Sequence, residues 1–149
     1  MRGFGRMTNG PARRILGAGA RLALAVWLGG FTFYGGAVVP IYHAHFTTME
    51  VGLASRDVTD ALNSLGFVAL VLLALDASLA RRPRRGLLVA LAACLLAVLV
   101  GLHEMMDARI DAGTFGGFYP LHRAYLTVHT MLWAVQVALL LSWDNRRVP

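Results

Sequence analysis

The sequence contains no lysine. All 14 basic residues are arginine, and with eight acids they make up only 15% of the 149 residues, against roughly a quarter in an ordinary soluble domain. There is a single cysteine, Cys94, which excludes an intrachain disulfide and any paired-cysteine redox or metal motif. No glycine-rich phosphate loop and no nucleophile–base–acid set is present in the sequence. A formal charge of +6 would point to nucleic acid in a soluble chain. No segment here carries a basic helical face with interleaved aromatics, so nucleic acid is not an expected partner. In place of charge the sequence has apolar length: 57% of residues are hydrophobic and the mean hydropathy is +0.59. That surplus is gathered into four runs, the distribution a bilayer demands.

The runs are organised around residues 80–86, Ala-Arg-Arg-Pro-Arg-Arg-Gly. Four arginines and a proline between two apolar stretches mark the turn of a membrane hairpin. The expected fold is all-α, a four-transmembrane-helix bundle with helices over about residues 16–42, 60–80, 87–104 and 120–143. Residues 1–14 read as a mobile basic arm, 15–144 as the membrane domain and 145–149 as a tail. The first run has 21 uncharged residues, 22–42, longer than a cleavable leader core, and reads as an uncleaved helix. Pro40 is expected to mark its end, and Arg21 to snorkel at the other. Residues 43–59 and 105–119 read as loops, with Asp57 or Thr59 capping the second helix. Eleven arginines fall on the side of the 80–86 turn. Three (Arg56, Arg109, Arg123) fall on the other, with six of the acids. That asymmetry predicts both termini in the cytoplasm of a bacterial-type inner (plasma) membrane.

All five histidines, His43, His45, His103, His122 and His129, fall on the half opposite the arginines. His122, His129 and Gln136 recur every seven residues and so share one stripe of the last helix. Polar groups at that depth must face the bundle, and Asn63, Thr32 and Tyr34 are expected partners. One reading of this stripe is interhelical hydrogen bonding. The other is a ligand site. His129 with His43 would hold haem b, the paired glycines of the first run leaving room for a flat ring. His103 and Asp107, four residues apart, with His122 and His45, would offer imidazole and carboxylate to copper or another metal, beside the soft Met105 and Met106. The bland account of residues 103–107 is a solvated helix end with an intrahelical ion pair. Asp76 and Arg21 lie near the arginine-rich ends of their helices. Asp76 is expected to pair with Arg21 or with the 81–85 turn. Gln136, Asn63, Asp76 and Arg21 form the structural polar set.

Trp27-Leu28-Gly29-Gly30-Phe31, the later Val39-Pro40, and Phe118-Tyr119-Pro120-Leu121-His122-Arg123 carry a resemblance. They are similar to motifs of the uncharacterised transmembrane-protein-205-like family, and more loosely to the copper-resistance D-like family. The resemblance covers the first and last helices. It implies a four-helix membrane protein with metal handling suggested. The expected function is that of a multi-pass integral membrane protein, not an enzyme, with a polar cluster at its outer face. A haem- or copper-binding module for electron or metal transfer is one alternative. A small packing subunit of a larger membrane complex, or a homo-oligomer, is another. The lipid bilayer is the expected partner throughout.

Overall fold

The structure, a computed structural model, describes residues 10–113 and 117–143. Residues 1–9 of the expected arm and the 145–149 tail lie outside the described residues. The chain runs as α1 (Pro11–Phe33), a π-helical segment (Tyr34–Val38), α2 (Val39–His45), α3 (Thr48–Leu79), α4 (Pro83–Asp111) and α5 (Phe118–Leu141), with no strand among the described residues. α1, the π segment and α2 form one continuous rod. The result is an all-α bundle of four rods, each long and apolar enough to cross a membrane. α1 packs on α3, α3 on α4, α4 on α5 and α5 back on α1, so sequence neighbours are spatial neighbours around a ring. Both ends of the described chain lie beside the turn between α3 and α4, at what is here called the arginine end. The opposite end is the histidine end.

Each rod buries one narrow stripe. Ala20, Leu24, Trp27 and Phe31 from α1 meet Ala69 and Leu73 from α3, Ala92, Leu96 and Leu99 from α4, and Leu132 and Leu139 from α5. The outer faces are equally apolar, with Leu22, Phe33, Phe67, Val68, Leu87, Leu91 and Val98 all exposed. A helix that is hydrophobic all round belongs in lipid. Cys94 is on this exposed face of α4. α1 and α3 pack tightly where the fully buried Trp27 ring lies on Gly66. A Cβ at Gly66 would stand 2.5 Å from Trp27 Cε2.

Helix starts follow local chemistry. Pro11 and Pro83 sit in the first turns of α1 and α4, where the missing N–H is no loss. Pro40 does not end its helix as expected. A proline inside a helix removes a backbone donor and crowds the carbonyl four residues back. Here the preceding turn, Tyr34–Val38, widens to a π-helix and the rod continues to His45.

The expected 43–59 loop is mostly helix. α3 begins at Thr48, capped by Thr47 rather than by Asp57 or Thr59. The Glu50 N–H donates to Thr47 Oγ1 at 3.4 Å and the Thr47 N–H donates to Glu50 Oε2 at 2.9 Å, a reciprocal capping box. Likewise α4 runs on to Asp111, through the first seven residues of the expected 105–119 loop. Thr47→Ala is expected to fray the first turn of α3, read as faster amide exchange around residues 50–53. Unchanged protection there would show that the box does not hold the helix start.

α3 ends in a left-handed residue at Arg81, φ 49°, with the Arg82 N–H donating to Ala77 O at 3.1 Å. That position is usually glycine. Between their two ends α3 and α4 leave a groove of about 1400 Å³, floored by Ala74, Ala90, Ala93 and Ala97.

Candidate functional site

The histidine end gathers its polar residues by helical spacing. Arg56, Asp60 and Asn63 stand at i, i+4 and i+7 on α3, facing His103, Asp107 and Asp111 at i, i+4 and i+8 on α4. Arg56 Nε lies 2.9 Å from Asp107 Oδ2, and its Nη1 and Nη2 donate to Asp111 at 3.2 and 3.4 Å. One guanidinium thus clamps α3 to two successive turns of α4. His103 is buried, as is Asp107. The His103 Nε2 is 3.4 Å from Asp60 Oδ1 and 3.6 Å from Asp107 Oδ2, within ion-pair distance of carboxylates from two helices but in hydrogen-bond geometry with neither. Tyr125 of α5 closes the site, its ring 6.2 Å from the His103 ring. Asn63 Oδ1, one turn deeper, is buried without a hydrogen-bond partner. Three carboxylates (Asp60, Asp107, Asp111) thus stand around the Arg56 guanidinium and the His103 imidazole.

The arginine end holds a second buried polar group. Asp76 was expected to pair with Arg21 or the turn, and the structure shows Arg85 of the turn as its partner, with Arg85 Nη1 at 2.8 Å from Asp76 Oδ2. Arg85 also donates from Nη2 to Ser142 O at 3.1 Å and from Nε to Ser142 Oγ at 3.3 Å, tying α4 to the end of α5. Arg21 instead stacks over the Trp143 ring at 5.6 Å. Arg85 and His103 are eighteen residues apart on α4, about 27 Å at 1.5 Å per residue. That is close to the roughly 30 Å hydrocarbon thickness of a bilayer, so the two polar layers stand where a membrane's boundaries would fall.

The expected ligand sets are not assembled. His129 is half-buried with its ring edge-on to Phe31 at 4.4 Å and 6.0 Å from Tyr125. Phe31 and His43 are twelve residues apart on a continuous rod, about 18 Å, so His43 lies well past the level of His129 and nearer to His122. His43 and His45 are exposed in the last turn of α2. The structure thus sets the expected haem pair, His129 and His43, at different levels of the bundle. Of the metal set, only His103 and Asp107 meet. His122 stacks on Phe118 at 6.0 Å. Among the described residues no group of three or more His, Cys, Asp or Glu side chains is placed to hold a metal ion.

The seven-residue stripe does not act as a unit either. Gln136 is fully buried with neither amide atom hydrogen-bonded. Thr32, expected to serve His129 or Gln136, donates to Leu28 O at 2.7 Å and accepts from Trp133 Nε1 at 3.0 Å, which links α1 to α5.

Arg56, Asp60, Asp111 and Tyr125 were not among the expected site residues. For Arg56 and Asp111 the signal was the matching helical spacing of the two segments, hidden by reading both as loop; Asp60 and Tyr125 lie in expected helices, and their part in the site comes from packing. Compared with protein-family models, with curated proteins and with solved structures, the chain matches none. The architecture itself fits a multi-pass membrane protein in contact with lipid.

Proposed function

We propose that this is a multi-pass inner-membrane protein, with both termini in the cytoplasm, that works by binding rather than catalysis. Its working site is the outer polar cluster, which takes a cationic group, an ammonium or a guanidinium, from a solute or a partner. The orientation rests on the arginine count, eleven against three. The site rests on one observation: His103 Nε2 is buried between the Asp60 and Asp107 carboxylates, bonded to neither. A buried polar group left without its hydrogen bond is costly, which favours a ligand that completes the site. Arg56 is the internal example, since it shows how a guanidinium is gripped by Asp107 and Asp111. Kinship with the transmembrane-protein-205-like proteins is part of the same proposal and is carried by the motifs around Trp27 and His122.

Two measurements test it. A periplasmic-active reporter inserted at Gly113 should be active, and one fused after Trp143 should not; the reverse pattern overturns the orientation. In detergent, millimolar arginine methyl ester or putrescine should raise the melting temperature of the wild type. The shift should fall by more than half in Asp60→Asn and Asp107→Asn. Equal shifts in all three proteins, or no shift in the wild type, would remove the site.

A further inference from the structure

At the arginine end, α1, the α3–α4 turn and the end of α5 surround a basin of about 600 Å³, lined by Arg13, Arg14, Arg21, Arg82, Arg85, Asp76 and Trp143. Among the described residues, five guanidinium groups share this one concavity with a single carboxylate. That carboxylate, Asp76, is already matched by Arg85 at 2.8 Å. All three donor nitrogens of Arg85 are engaged, with Asp76 and Ser142. Arg13, Arg14, Arg21 and Arg82 have no carboxylate partner among the described residues.

A membrane protein's basic residues ordinarily spread into water and headgroups. These are drawn together from two separate elements instead. Arg13, Arg14 and Arg21 come from α1, and Arg82 from the turn. Gly17 permits the gathering: a Cβ there would stand 3.2 Å from Asp76 Oδ1, so glycine lets α1 close over α3 at the basin floor. Trp143 forms part of the wall, with the Arg85 guanidinium 4.1 Å and the Arg21 guanidinium 5.6 Å from its ring centroid. Stacking on an indole leaves a guanidinium's in-plane N–H groups free to point at a ligand. Arg82 and Arg21 also act on Arg85 as like charges. A cluster of like charges held in one hollow is relieved by a multivalent anion. Phosphate is the anion whose oxygens match the guanidinium fork bidentately.

We propose that this basin is a binding site for a phosphate group, with Arg14, Arg21 and Arg82 as its principal donors and Arg85 as the fixed, Asp76-neutralised floor. Because the basin opens where the apolar rods end, the phosphate is either the headgroup of an anionic phospholipid or a phosphate free in solution. The proposal does not depend on the reading of the histidine end.

The test uses the full-length protein in neutral detergent with two probes, phosphatidylglycerol and inorganic phosphate. Binding is followed by native mass spectrometry and calorimetry. Wild type should bind at least one of them ten-fold or more tightly than the Arg14→Gln/Arg82→Gln double variant, whose melting temperature should stay near that of the wild type. Preference for phosphatidylglycerol identifies the lipid as the source, and preference for inorganic phosphate identifies the soluble anion. Arg84→Gln is the control: Arg84 is exposed and lies outside the basin, so binding should be unchanged. If the double variant does not fold, Arg14→Gln alone is read by the same criterion. The proposal is overturned if neither probe binds the wild type. It is also overturned if the basin variant binds as well as the wild type, or if Arg84→Gln loses as much as the basin variant.

Discussion

Replacing Arg85 with alanine should destabilise the bundle by about 3–5 kcal/mol, the usual consequence of stranding one member of a buried ion pair. Arg85 and Asp76 are both buried, 3% and 7% exposed, and 2.8 Å apart. Removing the guanidinium leaves a buried carboxylate without its 2.8 Å partner near a bilayer boundary. It also releases Ser142, whose carbonyl and hydroxyl Arg85 holds, so the end of α5 should loosen as well. Asp76→Ala should be similarly severe. The double variant Arg85→Ala/Asp76→Ala should lose clearly less than the two single effects added, because it buries no unmatched charge. Unfolding in mixed micelles with a rising fraction of denaturing detergent gives the numbers. A single-variant loss below about 0.5 kcal/mol, in the range of an exposed pair, would show that water reaches this pair freely.

Gly66→Ala is the second large effect expected, about 3 kcal/mol, at the upper end for overpacking a filled core. One methyl is enough because it would meet Trp27 Cε2, Cζ2 and Nε1 at 2.5–2.7 Å. These are atoms of a rigid ring with no exposed surface, not the free tip of a flexible chain. The ring would have to leave its rotamer or α1 would have to move off α3. Each would open the contact between α1 and α3. Trp27→Phe should partly rescue Gly66→Ala while being destabilising by itself. If the two substitutions add without coupling, the ring is not what Gly66 accommodates. At Gly30 the same experiment should be milder. There the nearest atom is Leu62 Cδ2 at 2.8 Å, the end of a side chain able to rotate aside.

The four rods were legible in the sequence because hydrocarbon length and arginine placement are properties of composition, and composition survives without any knowledge of packing. The ends of the rods were not. Hydropathy falls once α3 and α4 pass the polar layer at His103. Backbone hydrogen bonding continues for several turns beyond it, helped at α3 by the Thr47–Glu50 box. Reading residues 43–59 and 105–119 as loops therefore hid Arg56 and Asp111, and with them the clamp beside His103. The five histidines misled for a related reason. Sharing an end of the bundle is not sharing a face, and the rod continues past Pro40 so that His43 and His45 are exposed in its last turn. The Asp76 partner could be narrowed from sequence to Arg21 or the turn. Choosing between them needed the distance.

The exposed thiol of Cys94 lies nine residues along α4 from Arg85 and nine from His103. It marks the plane midway between the two polar layers. With no second thiol in the native chain and no lysine to compete, a nitroxide or fluorescent tag can be placed there without altering any residue. Quenchers fixed at graded depths along lipid tails should then act on it most strongly at the bilayer's centre, so the chain carries its own depth gauge.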